Sequence, residues 1–249
     1  MARIPYDDLT ATAYKAVREI PRDGLGEWRE AVRRHLRPSP GTVVADVGAG
    51  TGQFAVALAE WFDIDVVAVE PSAAMRAQIP ERPTITVLEG HAGAIPLEDR
   101  SVDGVWLSLV IHHIPDLEAA AYEIRRILRP GGPVMIRQGF AGRLDRVENV
   151  RWFPETATTV DLTVGRACEA FAAAGFGLDA LEPTPETYSA SLADYLAQLD
   201  VLRRADSTLR MLTDQEFEQG VERVRCAVKA EGEEAAEPRT NWLDLLVLR

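Results

Sequence analysis

The chain of 249 residues has few cysteines, no surplus of basic residues and no long apolar run. Its two cysteines, Cys168 and Cys226, lack metal-ligand spacing and are too few for a disulfide framework, so we interpret both as packing residues. No apolar stretch approaches the roughly 20 residues that cross a bilayer, and residues 1–10 contain Asp7 and Asp8 where a signal peptide has its apolar core. We therefore expect no membrane partner, no metal and a cytoplasmic location.

Acidic residues outnumber basic ones, 39 to 27, which gives a net charge of −12. A protein that binds a phosphate backbone normally presents a basic face. Arginines do cluster in residues 29–37 and 125–129, but Glu30 and Glu123 lie among or beside them, as is typical of solvated helix faces. The charge argues against nucleic acid and favours a small-molecule substrate; it does not specify an oligomeric state.

The most informative segment is VVADVGAGTG, residues 43–52, which a helical stretch follows at residues 53–62. This pattern predicts a buried parallel strand, a glycine-rich turn and then a helix. Gly48, Gly50 and Gly52 let the backbone pass close to a ligand and adopt φ values that a Cβ disfavours. The first turn of the helix presents unpaired N–H groups, which suit a polar or negative ligand group.

The glycine spacing distinguishes between two ligands. A dinucleotide fingerprint of the form G-x-G-x-x-G needs a glycine where this chain has Gln53. A second strand, near residues 64–69, ends at Glu70, whose carboxylate can accept hydrogen bonds from both hydroxyls of a ribose. NAD enzymes share such an acid, so an NAD-linked oxidoreductase stays as the less favoured alternative.

Six motifs follow one another in the order typical of one enzyme family. They are VADVGAGTG (44–52), VAVEPSAAM (67–75), EGHAGAIPL (89–97), SVDGV (101–105), HHIPD (112–116) and LRPGG (128–132). Together they resemble the class I S-adenosylmethionine-dependent methyltransferases, in particular the small-molecule branch that includes the ubiquinone/menaquinone-biosynthesis C-methyltransferases. The resemblance implies S-adenosyl-L-methionine as cofactor and methyl transfer to O, N or C of a small, hydrophobic or aromatic molecule. A relative that binds this cofactor without methylating, either pericyclase-like or regulatory, would carry the same motifs.

The resemblance also implies the cofactor contacts. The three glycines would hold the methionine and ribose part, Asp46 would order their loop and meet the amino group, and Glu70 would bind the ribose hydroxyls. The adenine would lie between Pro71, Ser72 and Met75. The full set of cofactor-binding candidates is Tyr14, Asp46, Gly48, Gly50, Gly52, Gln53, Glu70, Pro71, Ser72, Met75, Gly90, His91, Ala92, Ser108 and Leu109.

Three histidines need a separate interpretation. His91 stands where many relatives have an aspartate that accepts from the adenine amino group; an imidazole can accept that bond, or the ring can turn outward. His112 and His113 follow the fourth strand, and we expect at most one to point into the pocket, because adjacent residues do not share a helix face. The resemblance favours His112, as a general base or to orient the substrate, whereas His113 caps or packs. The alternative is that both are polar residues of a strand-to-helix junction without a catalytic role.

Alternating apolar runs and helical patterns predict an α/β, Rossmann-like, doubly wound and mostly parallel sheet. Strands are predicted near residues 43–47, 65–69, 85–88, 102–107 and 133–138, and helices at 5–17, 26–36, 53–62, 72–78, 117–128 and 163–175. A strand near residues 177–182 and a last one at 242–248 complete the seven strands that the resemblance implies. The candidate substrate contacts at and after the end of the fifth strand are Arg137, Gln138, Arg151, Trp152 and Phe153. Trp152 and Phe153 either supply an apolar wall for a flat substrate or are ordinary core aromatic residues.

The composition, 47% hydrophobic and 27% charged, is typical of one globular domain. We predict a single methyltransferase domain, with an N-terminal helical cap at residues 1–40, a Rossmann-like core at 41–186, a helical lid insertion at 187–238 and the last strand at 239–249. Helical periodicity over residues 189–204 and 214–230 predicts the inserted pair, which either covers the pocket or only thickens the fold.

Overall fold

The computed structural model describes residues 22–231 and 237–249. The predicted N-terminal helix at residues 5–17, with Tyr14, lies outside these ranges, as do residues 232–236 before the last strand.

A seven-stranded sheet forms the centre of the molecule, and its strand order is β3-β2-β1-β4-β5-β7-β6. The strands are β1 (Val43–Val47), β2 (Asp65–Val69), β3 (Ile85–Leu88), β4 (Gly104–Ser108), β5 (Val134–Gln138), β6 (Leu178–Ser189) and β7 (Arg239–Leu248). Pairing is parallel from β3 through β5, whereas β7 runs antiparallel to both β5 and β6. The predicted mostly parallel, seven-stranded α/β sheet is confirmed.

Helices cover both faces of the sheet. They are α1 (Gly26–Leu36), α2 (Gln53–Phe62), α3 (Ala73–Arg76), α4 (Leu117–Ile127), α5 (Glu148–Trp152), α6 (Val164–Ala172), α7 (Leu192–Ala205) and α8 (Asp214–Glu231). Apolar side chains of α4 and α6 pack on one face of the sheet, and those of α1 and α2 pack on the other. This two-sided cover explains why β1 and β5 are apolar throughout most of their length rather than alternating.

Strand β6 is longer than predicted. It continues past residue 182 to Ser189, although Pro183 and Pro185 lie within it. Proline cannot donate a ladder hydrogen bond, but β6 is an edge strand, where a missing N–H is tolerated. Because residues 187–189 still pair with β7, the predicted lid boundary at residue 187 falls inside a strand.

The inserted helices α7 and α8 form a small core of their own. Leu199, Leu202 and Phe217 are buried there together with Trp152 and Phe153 from α5 and its C-terminal end. A capping box begins α8: the Thr213 N–H donates to Glu216 at 2.8 Å, and the Glu216 N–H donates to Thr213 Oγ1 at 3.2 Å. Within the described ranges, no helix has both the length and the apolarity that crossing a membrane requires.

Candidate cofactor and substrate site

The glycine turn after β1 has the backbone conformation that its sequence predicts. Gly48, Gly50 and Gly52 have φ values of +76°, +57° and +83°. A Cβ at Gly48 would lie 2.3 Å from Val110 Cγ2, and one at Gly52 would lie 2.8 Å from Ile79 Cγ2, whereas a Cβ at Gly50 would meet open space. The first and third glycines are therefore required by packing as well as by φ, and the second leaves room beside the backbone.

Asp46, the last polar residue before the turn, has a buried side chain with one unsatisfied oxygen. The residue is 1% exposed, and its Oδ2 has no hydrogen-bond partner in the described part of the chain. Burial, and secondarily the nearby Glu70 carboxylate, raise the pKa of Asp46 to about 7, against the opposing effect of the Ala55 N–H. A buried carboxylate of this kind favours a cation or a donor beside it.

Glu70, at the end of β2, fastens the turn to the neighbouring strand. Its Oε2 accepts from the Gly50 N–H and its Oε1 accepts from the Ser72 N–H, each at 2.9 Å. Burial raises the pKa of Glu70, whereas these two N–H groups and Arg76 act in the opposite direction. Ser72 Oγ in turn accepts from the Met75 N–H at 3.3 Å and begins α3.

A cavity of about 820 Å³ lies at the carboxyl ends of β1, β4 and β5. The predicted site residues that line it are Asp46, Gly48, Gly50, Gln53, Ser108, Leu109, His112, His113, Arg137 and Gln138. The others that the structure describes lie outside its lining: Gly52, Glu70, Pro71, Ser72, Met75, Gly90, His91 and Ala92. The cavity thus brings the methionine-end candidates together with the histidines, whereas Glu70 and the predicted adenine contacts are not part of its lining.

The His91 ring is turned outward, which is one of the two arrangements that the sequence leaves open. The side chain is exposed, and its Nδ1 accepts from the Gly93 N–H at 3.2 Å, within a turn closed by the Ala94 N–H bonding to the His91 carbonyl. Ala92 beside it is 6% exposed. The imidazole therefore stabilises its own loop.

Both histidines after β4 line the cavity, so the expectation that at most one faces it is wrong. Ile111–His113 form a single 3₁₀ turn rather than an α-helix, and the rings of His112 and His113 lie 3.9 Å apart. His112 Nδ1 is 3.2 Å from Gln138 Oε1 at the end of β5. Leu109, just before this turn, has φ of +51°, an unusual value for a residue with a side chain.

Arg137 does not present a free charge to the cavity. Its Nε and Nη2 donate to Glu186 Oε2 at 3.1 and 2.5 Å, and its Nη1 donates to Ser108 Oγ at 3.1 Å. Glu186 also accepts from Trp28 Nε1 and from Asn241 Nδ2, each at 2.9 Å. The arginine and the glutamate are both almost fully buried, so they form a compensated pair under the cavity.

The sequence analysis did not identify Glu186, because it lies in the part of β6 that was not predicted as a strand. Thr184 and Glu186 are buried in this segment, but both are polar and prolines flank Thr184, so the sequence shows no apolar alternation there.

Arg151, Trp152 and Phe153 lie outside the cavity lining, and the two aromatic residues are buried, as in the alternative that they are core residues. Phe153 is fully buried and stacks on Phe217 with ring centroids 5.5 Å apart. It fits against Gly220, where a Cβ would come within 2.1 Å of the ring. Arg151 is exposed and lies over the Trp152 ring. These aromatic residues instead join α5 to the inserted helices.

Residues after β5 and in the insertion supply the remaining cavity walls, and the sequence analysis did not single them out. The apolar members are Leu144, Val147, Val150, Val160, Met211 and Leu243. The acidic members are Asp161, Asp194 and Asp206. In the two described ranges, no group of three or more His, Cys, Asp or Glu side chains is placed to hold a metal ion.

Comparison with known proteins identifies the domain. A family model described as a methyltransferase domain matches residues 45–136. A ubiquinone/menaquinone biosynthesis C-methyltransferase of Caulobacter vibrioides is 32% identical over 139 residues, which are 50% of this chain and 55% of that protein. The chain thus spans about half the length of the curated relatives it matches.

Solved structures extend the likeness in fold to nearly the whole chain. A protein of Anabaena variabilis, named as a candidate methyltransferase from an antibiotic biosynthesis pathway, superposes with a TM-score of 0.73 at 24% identity and covers 94% of this chain and 99% of its own. A protein named as a (4+2)-cyclase superposes with a TM-score of 0.61 at 18% identity, over 97% of this chain and 93% of its own. Residues 45–136 therefore match a methyltransferase domain, as the motif order of this segment predicts.

Proposed function

We propose that this protein binds S-adenosylmethionine at the glycine turn and transfers its methyl group to a small, uncharged and largely apolar acceptor in the cavity. The observation that carries the proposal is the unsatisfied Oδ2 of Asp46, buried beside the cavity and next to a turn of positive-φ glycines.

The residues around the turn fit the cofactor. Asp46 would accept from the cationic amino group, and such a charge-assisted bond satisfies an oxygen that is otherwise buried without a partner. The open side of Gly50 leaves space for the methionine and ribose part. Glu70 would exchange one of its backbone hydrogen bonds for the ribose hydroxyls, while Pro71, Ser72, Met75, Gly90, His91 and Ala92 would surround the adenine.

When bound, the cofactor supplies a methyl group on a positively charged sulfur, which needs only an aligned nucleophile and exclusion of water. Ser108 and Leu109 would border the methionine end, and His112 and His113 would face the acceptor. The buried Arg137–Glu186 pair would keep the floor of the cavity rigid and without net charge.

The cavity lining supports an uncharged acceptor. Among the described lining residues, Arg137 is the single guanidinium or ammonium group, and Glu186 already compensates it. Asp161, Asp194 and Asp206 add acidic side chains to the lining, and an acceptor with a phosphate or carboxylate would bring another negative charge close to them. The six apolar wall residues favour contact with an apolar body.

The inserted helices would act as the outer wall, and as a lid if they open. Asn149, a lining residue, accepts from Tyr195 Oη of α7 at 2.8 Å and donates to Asp206 at 3.1 Å. Arg223 of α8 donates to the Trp152 carbonyl at 2.7 Å. These bonds attach the insertion to α5, so we propose that the single domain closes its substrate pocket with α7 and α8.

Two measurements test the proposed function. Calorimetry with S-adenosylmethionine, S-adenosylhomocysteine and NAD should give measurable binding of the first two, and Glu70→Ala should weaken it about tenfold or more by removing charge-assisted bonds. Tighter binding of NAD, or an unchanged affinity in the variant, would contradict the assignment.

Cofactor labelled at the methyl group, incubated with neutral aromatic and apolar acceptors, should then give a labelled product. Binding without any methyl transfer would favour the relative that does not methylate.

A further inference from the structure

The side-chain amide of Gln138 bridges two groups at the end of β5. Its Nε2 lies 3.2 Å from the carbonyl oxygen of Gly139, and its Oε1 lies 3.2 Å from His112 Nδ1. Gln138 is 4% exposed, and both Gln138 and His112 line the cavity. Solvent therefore has little access to this amide, so protein groups determine its orientation.

The Gly139 carbonyl determines which end of the amide faces the histidine. A carbonyl oxygen only accepts, so the amide atom beside it must be the donor, Nε2. The opposite orientation would place two oxygens 3.2 Å apart in a buried position and leave the amide N–H groups facing His112. Oε1 consequently faces Nδ1, and an oxygen acceptor requires that Nδ1 carry the proton.

We propose that Gln138 is a positioning residue that holds neutral His112 as the Nδ1–H tautomer, so that Nε2 carries the lone pair that accepts the acceptor's proton. The role of this tautomer in proton transfer rests on the proposed function, whereas the tautomer itself does not depend on that function. A histidine side chain in water prefers the other tautomer, so the hydrogen bond from Nδ1–H to Gln138 would reverse the intrinsic preference.

In the proton transfer that this tautomer permits, the proton and the electron pair each have a defined destination. Nε2 of His112 accepts the proton of an acceptor O–H or N–H as the oxygen or nitrogen forms its bond to the methyl carbon. The electron pair of the breaking carbon–sulfur bond stays on sulfur, and the imidazolium, still bonded to Gln138 through Nδ1–H, later releases its proton to water. The other tautomer would present N–H to the acceptor and would have no lone pair to offer there.

Nitrogen NMR of the protein labelled with ¹⁵N-histidine tests the tautomer without any substrate. The chain has four histidines, and His112→Gln identifies the His112 resonances by their disappearance. Above neutral pH, the wild type should show protonated Nδ1 and unprotonated Nε2 at His112. Gln138→Leu should shift the population toward Nε2–H. Gln198→Leu, a glutamine elsewhere on the cavity wall, is the control and should leave the tautomer unchanged.

Kinetic measurements then test whether this tautomer contributes to methyl transfer. Gln138→Leu should lower kcat at least about tenfold with the cofactor affinity preserved, whereas Gln198→Leu should leave the tautomer at His112 unchanged. Nε2–H at His112 in the wild type, or an unchanged tautomer in Gln138→Leu, would overturn the inference even in an active enzyme. The expected tautomer in a protein that methylates nothing would leave the inference standing and refute the proposed function.

Discussion

At the scale of single residues, Asp46 is the group whose ionisation the fold changes most clearly. Its carboxyl has an ordinary pKa of 3.8, and burial raises that pKa to about 7. The folded protein therefore binds this proton more tightly than the unfolded chain does. Cofactor binding and stability should respond to pH in opposite directions as a result.

Cofactor affinity should rise between pH 6 and pH 8, because only the ionised carboxylate attracts the cationic amino group. Calorimetric titration with S-adenosylhomocysteine across this interval measures the effect. Asp46→Asn should bind more weakly at pH 8 and should lose most of the pH dependence. A wild-type affinity that stays flat over the interval would show that Asp46 does not bind the amino group.

Stability of the cofactor-free protein should change with the opposite sign. The contribution of protonated Asp46 is fully present below pH 3.8 and is lost as the pH rises through about 7, a difference on the order of 4 kcal/mol. Asp46→Asn keeps a neutral side chain at every pH, so it should unfold at a higher temperature than the wild type at pH 8. Equal melting temperatures of the two proteins at pH 8 would contradict the raised pKa.

At the scale of secondary-structure elements, the turn between β1 and α2 depends on Gly48. Gly48→Ala should abolish cofactor binding or unfold the turn, because the new Cβ meets Val110 at a φ of +76°. Adding Val110→Ala removes the clash and should restore part of the binding. Gly142→Ala has a similar φ of +80° with nothing within 4 Å and is the matched control. If the Gly48 variant binds cofactor as the control does, close packing at this turn is not required.

Strands β5 and β6 lie on either side of β7, and their buried side chains Arg137 and Glu186 meet beneath the cavity. Glu186→Gln should lower the unfolding free energy by about 3–5 kcal/mol, since it leaves the Arg137 charge buried without its counter-ion. The control is Glu60→Gln, which breaks a half-exposed pair with Arg82 and should change stability by less than about 1 kcal/mol. Urea denaturation of both variants decides whether the pair is structural.

At the scale of the whole molecule, the acidic and apolar cavity should bind neutral ligands more tightly than negatively charged ones. N-phenyl-1-naphthylamine and its sulfonated analogue 8-anilinonaphthalene-1-sulfonate differ by one anionic group and both fluoresce in apolar sites. The cofactor-loaded protein should bind the neutral dye at least about tenfold more tightly. Val150→Trp, which reduces the cavity volume at an apolar wall, should weaken that binding. Equal or tighter binding of the sulfonate would rule out the uncharged acceptor class.

The sequence by itself determined the sheet and the turn, because these depend on local signals. The apolar run of β1, the positive-φ glycines and the helix after them are contiguous, so their conformation follows from neighbouring residues. The bounds of α2 and β2 agree with the pattern, and the match to a methyltransferase domain covers the same contiguous motifs.

Tertiary structure decided which residues meet at the cavity. His112 and His113 both line it from one 3₁₀ turn after β4, and Phe153 lies outside its lining because its ring packs against Gly220 of α8. Glu186 reaches Arg137 because β6 extends along β7 past two prolines that an edge strand tolerates. Such contacts join residues about 50 or more positions apart, and their free energy comes from burial and charge compensation that the local sequence does not encode.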